Sequence, residues 1–203
     1  MMQDDCLYYI RDTLGRSSRN EIFCVADFMG YGTYDAVRKA LSRLSQNGFI
    51  ERIVTGVYWV KPGEDAVPPY HAVAEALARN YDWKIALGTN LARAELGLIQ
   101  EPPRIKHYLC TGRGATYSFY GQTLKFQHCD YRIIERLKPK SMLVASALMY
   151  RKDDPITAEE IMQLSTILSE EEKIDLQKDR IYVPARIRCV FDIICGQYGA
   201  SNR

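Results

Sequence analysis

Long apolar stretches are missing from this chain of 203 residues. Its longest uncharged apolar run, 142–150, has nine residues, whereas a membrane-spanning helix needs about 20. The first residues, MMQDDCLYYIRD, carry acids where a secretory signal peptide carries bases. We therefore expect a soluble cytoplasmic protein that is neither secreted nor bound to a membrane.

Closely spaced cysteines are missing as well. The six cysteines are scattered without a CxxC pair, so neither a disulfide framework nor a zinc ribbon is predicted. Most of them lie among apolar or aromatic neighbours, which favours reduced, buried cysteines. The best candidates for zinc ligands are His107, Cys110, His128 and Cys129. Alternation along β-strands points these side chains to opposite faces, and we expect no bound metal.

Paired acids are absent from the turn that most suggests phosphate chemistry. Gly88-Thr89 lies between a predicted strand and a predicted helix, where a helix N-terminus can bind phosphate. A nucleotidyltransferase would follow it with Asp-x-Asp to hold metal ions, yet the next acid is Glu95. We interpret the turn as a helix cap in a packed corner. Since the chain has only three histidines, we predict no catalytic residue, no cofactor and no enzymatic activity.

Charge is balanced overall but unevenly distributed. The chain has 27 basic and 25 acidic residues, a net charge of +2, which by itself indicates no class of partner. Residues 79–140 contain eleven basic residues and at most five acidic ones, whereas 153–179 is acidic. The middle of the chain is therefore predicted to carry a basic surface, with Arg104, Lys106 and Arg113 as candidates.

The clearest predicted element is a helix between Thr33 and Asn47. Thr33 is a predicted N-cap, and Asn47-Gly48 is a predicted C-terminal stop. Apolar residues recur between them at the i, i+3, i+4 and i+7 spacing of an amphipathic helix. These residues are Val37, Ala40, Leu41 and Leu44.

A hairpin is predicted directly after this helix. Two β-rich runs, 49–54 and 57–61, surround the two-residue turn Thr55-Gly56. Together with a shorter helical segment over 26–29, this order predicts a winged helix-turn-helix, whose second helix enters the DNA major groove. The candidate DNA-binding residues are Thr33, Tyr34, Arg38, Lys39, Arg43, Arg52 and Thr55. A charged helix face can also be merely solvated, and winged helices also contact proteins.

The rest of the chain predicts a second α+β region after a linker that contains Pro and Gly. Helices are predicted over 71–81 and 90–96. The three strands predicted as a small antiparallel meander are 104–110, 116–120 and 123–129. Further helices follow, and the last of them is predicted over 184–198.

These elements predict the α+β fold class and three domains. The winged helix-turn-helix occupies 1–62, and a second α+β domain with a small antiparallel sheet occupies 70–150. A helical C-terminal extension over 151–203 is predicted to pack on the second domain. One of its helices begins with a capping box, Thr157 followed by Glu160.

The stretch GYGTYDAVRKALSRLSQNGFIERIVTGVYWVKP resembles the N-terminal domain of the AbiEi-type antitoxins of bacterial abortive-infection, type IV toxin–antitoxin systems. The resemblance rests on Ala36-Val37, the run Ala40 to Leu44, Gly48, Ile50, Arg52-Ile53 and Gly56-Val57-Tyr58. It continues through AVAEALARNYDWKI, GTNLARAELGL and IKHYLCTGRGATYSFYGQTLKF, which are similar to the second domain of that family. The similar segments extend over roughly 20–130.

The resemblance implies a bifunctional protein. Its first domain would bind operator DNA and repress its own operon, and its second domain would supply the antitoxin activity. The implied functional partner is a nucleotidyltransferase-like toxin, which is countered without a tight complex. Two alternatives stay open: a stand-alone winged-helix regulator whose second domain senses a ligand or forms oligomers such as a homodimer, and an enzyme built on the second domain. A neighbouring nucleotidyltransferase-like gene would favour the antitoxin.

Overall fold

A computed structural model describes residues 2–149, 151 and 155–196. Helices and two small β-sheets alternate along the chain, which confirms the predicted α+β class. Within the described residues, no helix is long and apolar enough to cross a bilayer. By its internal contacts the chain divides into two units. The first comprises the residues up to Trp83 together with Thr116–Leu124, and the second comprises Lys84–Ala115 together with the residues from Lys125 onward.

The part of the first unit that runs up to Trp83 begins and ends with a helix. Its elements in chain order are α1 (Met2–Arg16), β1 (Ile22–Cys24), a 3-10 helix (Val25–Tyr31), α2 (Tyr34–Gln46), β2 (Glu51–Val54), β3 (Val57–Trp59) and α3 (Tyr70–Tyr81). The predicted start of α2 is confirmed, because Thr33 Oγ1 accepts a hydrogen bond from the Ala36 N–H at 3.4 Å. Gly48, at φ +72°, follows the end of α2 in the left-handed conformation that stops helices.

The core of the first unit lies where α1, the 3-10 helix and α2 meet. The four apolar residues predicted on the inner face of α2 are all buried. They pack with apolar residues of α1 and of the 3-10 helix, including Cys6, Ile10, Leu14, Val25 and Phe28. Burial of each large aliphatic or aromatic side chain contributes about 1.5–3 kcal/mol, so this cluster holds the three helices together.

Three short strands complete the first unit as an antiparallel sheet with the order β1-β3-β2. Trp59 of the central strand lies opposite Ile22 of β1 and Glu51 of β2, and its side chain is fully buried. Its indole Nε1 donates to Asn20 Oδ1 at 3.1 Å. The β2–β3 turn places Gly56 at φ +81°, a conformation that favours glycine.

Helix α3 belongs to the first unit, where its Arg79 contacts the start of the 3-10 helix. The guanidinium donates to both carboxylate oxygens of Asp27, at 2.9 and 3.1 Å, and Asp27 accepts from the Cys24 N–H at 2.8 Å. Burial disfavours the charged form of Asp27, but the bonds from Arg79 and Cys24 outweigh it and hold the pKa of Asp27 below its ordinary value. This pair attaches α3 to the helical part of the unit.

The remaining elements follow α3 in the chain. They are β4 (Ile85–Leu87), α4 (Thr89–Glu95), β5 (Ile105–Cys110), β6 (Ala115–Phe119), β7 (Gln122–His128), α5 (Tyr131–Arg136), α6 (Pro139–Leu148), α7 (Ala158–Ile167), α8 (Glu170–Asp179), a short 3-10 helix (Arg180–Tyr182) and α9 (Ala185–Ile194). The predicted helix end at Tyr198 lies outside the described residues, as do Asp153 and Asp154 of the acidic region.

The second sheet is mixed, and the predicted antiparallel meander is wrong. The strand order is β4-β5-β7-β6, so β7 lies between β5 and β6. Strands β5 and β7 run in the same direction, because the Cys129 N–H donates to the Cys110 carbonyl at 2.9 Å and the rings of Tyr108 and Phe126 stack 5.7 Å apart. Strand β7 buries Leu124 and Phe126 and suits the central position, whereas the more polar β6 suits an edge.

The tip of the β6–β7 hairpin groups with the first unit. Tyr120, at φ +46°, donates its hydroxyl proton to the Glu51 carboxylate and meets the Trp59 ring edge-on, with centroids 6.0 Å apart. The Lys61 ammonium lies 5.7 Å from the centroid of the Tyr120 ring and 3.2 Å from Glu51 Oε2. The segment 116–124 therefore covers part of the β2–β3 surface.

The C-terminal helices and α4 share the core of the second unit. Its buried residues include Ala92, Leu109, Val144, Leu148, Leu164, Leu176, Ile187 and Phe191. The predicted capping box of Thr157 and Glu160 is confirmed at the start of α7. The Glu160 carboxylate also accepts from Arg93 Nη2 at 2.7 Å and from Arg151 Nη1 at 2.8 Å. One carboxylate thus connects α7 to α4 and to the segment that precedes α7.

The division into two units follows Trp83 and not the predicted linker. Helix α3 lies after that linker in the chain but contacts β1, β3 and the 3-10 helix. Whether 1–62, 70–150 and 151–203 each fold as a domain does not follow from these contacts, so the three domains remain predictions.

Candidate nucleic-acid interface

A groove of about 340 Å³ lies between the polar face of α2 and the β2–β3 hairpin, within the first unit. Helix α2 contributes Tyr34, Arg38 and Lys39 to its lining, and the hairpin contributes Arg52 and Thr55. Five of the seven predicted DNA-binding residues therefore share one concave surface.

Periodicity explains why these side chains face the groove. Val37 and Leu41 are buried in the core, so the intervening Arg38 and Lys39 point to solvent on the other face of α2. On the hairpin, Arg52 is exposed and lies directly opposite Tyr58, so the two side chains share one face of the sheet and both line the groove. The helical periodicity that buries Val37 and Leu41 in the core therefore leaves the cations Arg38 and Lys39 on the solvent-facing side of α2.

Positive charge dominates the groove. Arg38 Nη2 lies 3.7 Å from Asp35 Oδ1 and both side chains are more than half exposed, so this ion pair contributes about 0.2–1 kcal/mol at most. Arg52 Nη2 donates to Thr55 Oγ1 at 3.1 Å, which orients the guanidinium beside the hairpin turn. Burial raises the pKa of the Tyr58 phenol, and the charges of Arg52 and Arg38 oppose this rise. Both arginines therefore act on one phenol at the wall of the groove.

Two of the predicted residues do not line the groove. Thr33 is the N-cap of α2, and its hydroxyl is engaged by the Ala36 N–H. Arg43 lies exposed in the last turn of α2. Their contacts with DNA remain predictions, because the structure assigns the first a capping role and the second only an exposed position.

The groove also includes residues that are not among the seven predicted DNA-binding residues. Ser42 lines it one helical turn after Arg38, and its wall includes Val25, Gly56 and Tyr58. The i+4 spacing from Arg38 is a signal that could have identified Ser42. Val25 lacks such a signal, because it belongs to the 3-10 helix and meets the hairpin only in the folded unit.

The predicted basic surface of the second unit is spread along β5. Arg104 is exposed before the strand, Lys106 Nζ donates to the Pro103 carbonyl at 2.7 Å, and Arg113 is exposed in the loop after the strand. A strand of six residues spans about 20 Å. Arg104 and Arg113 therefore lie at opposite ends of β5, and a DNA contact by this surface remains a prediction.

The Gly88-Thr89 turn lies in a packed corner at the start of α4, as we predicted from the absence of an Asp-x-Asp pair after it. A Cβ at Gly88 would lie 2.6 Å from the His107 carbonyl oxygen. The Gly88 N–H donates to this same carbonyl at 2.8 Å, and the Thr89 hydroxyl donates to the Met149 carbonyl at 2.7 Å. These polar groups of the turn are bonded within the protein.

Within the described part of the chain, no group of three or more His, Cys, Asp or Glu side chains is placed to hold a metal ion. The Cys110 thiol donates to the Gly112 carbonyl at 3.4 Å, and His128 Nδ1 lies 2.9 Å from the same oxygen. Burial raises the pKa of the Cys110 thiol, which disfavours a reactive thiolate. The other buried thiols are those of Cys6, Cys24 and Cys129, whereas Cys189 is exposed.

Comparison with known proteins connects the chain to a family. No curated protein matches it. The model of DUF6088, a family of unknown function, matches residues 9–176, a span that includes the whole groove and most of the second unit. Since this match covers well over half of the 203 residues, the chain belongs to the DUF6088 family.

Proposed function

We propose that the first unit binds duplex DNA as a winged helix-turn-helix. The order α1, β1, 3-10 helix, α2, β2, β3 and the sheet order β1-β3-β2 support this assignment. The observation that carries the proposal is the groove in which Arg38 and Lys39 of α2 meet Arg52 and Thr55 of the hairpin. Three cations in one concavity suit a polyanion, and phosphate contacts supply much of the affinity of DNA-binding proteins.

In this proposal α2 is the recognition helix. Such a helix lies in the major groove with its N-terminal residues toward the base edges. Tyr34 and Arg38 lie in the first two turns of α2, where an arginine can bond a guanine bidentately. Arg52 and Thr55 hold an adjacent phosphate from the hairpin, because phosphate contacts fix the position of a protein on the duplex. Arg43, at the end of α2, contacts the backbone further along.

The resemblance to the AbiEi-type antitoxins extends the proposal to a biological role. The protein represses its own operon through operator DNA and counters a nucleotidyltransferase-like toxin without a tight complex. The predicted second domain, 70–150, carries the antitoxin activity and has no catalytic role.

The test of DNA binding compares alanine variants on a duplex from the protein's own promoter region, by fluorescence anisotropy at several salt concentrations. Arg38→Ala should weaken binding by about 1–3 kcal/mol if Arg38 contacts a base. Lys39→Ala should reduce the slope of log K against log salt by about 0.9 if Lys39 contacts one phosphate. The matched control is Lys178→Ala on the exposed side of α8, which should change neither quantity. Unchanged binding by a folded Arg38→Ala, Lys39→Ala, Arg43→Ala triple variant would contradict the proposal.

We expect a gene for a nucleotidyltransferase-like toxin next to the gene of this protein, and the antitoxin role is tested by growth rescue during expression of that toxin. The full chain should restore growth during toxin expression, and the triple variant should still restore growth although it no longer represses the operon. A full chain that binds its promoter but does not restore growth would favour the stand-alone regulator.

A further inference from the structure

The outer face of α1 combines an exposed aromatic ring with charges in a fixed order. The inner face packs into the core of the first unit through Ile10 and Leu14. Spacings of three or four residues place another set of side chains together on the opposite face. This set is Asp5, Tyr8, Asp12 and Arg16. Tyr8 is 66% exposed, so this face of α1 presents a large aromatic ring to solvent.

An open groove of about 460 Å³ accompanies this face. It is lined by Tyr8, Arg11, Asp12, Gly15, Arg16 and Phe49. Gly15 forms a low point, since a Cβ there would find the Phe49 ring at 4.0 Å. The Arg11 guanidinium lies 5.5 Å from the centroid of that ring, which gives the groove a cation–aromatic wall. A glycine floor beside an aromatic wall suits the insertion of an aromatic side chain from another molecule.

The charges of the face complement a second copy of the same face. Asp5 and Arg16 lie near opposite ends of α1, about 16 Å apart along the helix axis. Antiparallel pairing of two copies brings Asp5 of each opposite Arg16 of the other, whereas parallel pairing brings like charges together. Arg16 bonds Asp12 at 2.9 Å with its side chain 79% exposed, and a guanidinium has five N–H donors, enough for a second carboxylate.

We propose that α1 pairs antiparallel with α1 of a second copy of this chain, with each Tyr8 ring in the groove above Gly15 of the other copy. Helical side chains lean toward the N-terminus of their own helix. Tyr8 therefore reaches the level of the opposite Gly15 when Asp5 is level with the opposite Arg16. The same patch serves both subunits, as a two-fold interface requires. The pairing uses none of the residues that line the α2–hairpin groove.

Sedimentation equilibrium of the full chain without DNA tests this pairing. The wild type should approach twice the chain mass of 23.3 kDa as its concentration rises. Asp5→Arg and Arg16→Asp should each raise the dimer dissociation constant by about tenfold, because each dimer contains two such pairs and both become repulsive. The double variant Asp5→Arg, Arg16→Asp should restore the wild-type constant, since the order of charges is merely inverted.

Two further variants separate pairing from folding. Tyr8→Ala should raise the dissociation constant by about tenfold or more. Its thermal melt, recorded at a concentration where both proteins are monomeric, should match that of the wild type, because Tyr8 is exposed in the isolated chain. Lys178→Asp on α8 has the same charge change as Arg16→Asp and should leave the constant unaltered. A wild type that stays at 23.3 kDa at every concentration would overturn the proposal. A double variant as weakly associated as the single variants would overturn it as well.

Discussion

At the scale of single residues, Gly88 has the most sharply defined role in the second unit. Its missing side chain lets β4 and α4 join against β5, where a Cβ would lie 2.6 Å from the His107 carbonyl oxygen and 2.8 Å from His107 Nδ1. Because one of these atoms is backbone, the contact cannot be relieved by a rotamer change alone. We expect Gly88→Ala to lower the free energy of unfolding by about 1–3 kcal/mol, measured by urea denaturation.

Gly63→Ala is the matched control for this substitution. A Cβ at Gly63 has no neighbour within 4 Å, so the change should be neutral or slightly stabilising, by up to about 1 kcal/mol. Equal stabilities of the two variants would show that the β4–α4 corner has room for a methyl group.

At the scale of elements, the start of α7 depends on one carboxylate. Glu160 caps the helix, bonds Arg93 and bonds Arg151, whose side chain is 2% exposed. Removing one partner of a buried ion pair costs about 3–5 kcal/mol. We expect Glu160→Gln to lower the free energy of unfolding by about 3 kcal/mol at pH 7, by the same urea titration.

The loss should depend on pH with a defined sign. Burial disfavours the charged form of Glu160, but the bonds from Arg151, Thr157 and Arg93 outweigh it and hold the pKa of Glu160 below its ordinary value. The stabilisation is therefore complete at pH values above the pKa that Glu160 has in the unfolded chain. It is lost as the pH falls through the pKa that Glu160 has in the folded protein. Wild type and Glu160→Gln should converge in acid. Glu170→Gln is the control, because its pair with Lys173 leaves Glu170 86% exposed. It should cost less than about 1 kcal/mol.

The helices were the predictable elements, because their signals are local. The Thr33 cap of α2 and the Thr157 box of α7 are confirmed, since a cap needs only the residues of the first turn. The neighbours of a strand have no such local signal. The short link 111–114 favours a β5–β6 hairpin, but β7 lies between them, because alternation along a strand selects its faces and not its neighbours.

At the scale of the whole molecule, the position of α3 decides where the chain can be cut. A fragment 1–66 lacks α3, and with it the buried Val73 and Leu77 and the Arg79–Asp27 pair. We expect 1–83 to melt at least about 5 °C above 1–66 in circular dichroism, since a loss of 1 kcal/mol shifts the melting temperature of a small domain by about 4–8 °C. Equal melting temperatures would support the predicted boundary near residue 62.

Long-range contacts explain what the sequence could not indicate at this scale. Arg79 and Asp27 are 52 residues apart, and the linker with its Pro and Gly residues separates them, so pattern alone predicted a boundary between them. The candidate groove was more accessible to prediction. Arg38, Lys39, Arg52 and Thr55 follow from helix periodicity and one turn, whereas Val25 enters only through the fold of the unit.

The positions of the two tryptophans allow fluorescence to follow the unfolding of the first unit separately from that of the second. The chain has two tryptophans, Trp59 and Trp83, and both belong to the first unit. Trp59 is fully buried with its Nε1 bonded to Asn20, so its emission should shift to longer wavelength when that unit opens. Far-ultraviolet dichroism, in contrast, records the helices of both units. Coincident transitions in the two signals would indicate that the whole molecule unfolds cooperatively. An emission change at a temperature different from that of the dichroism change would indicate that the first unit unfolds separately.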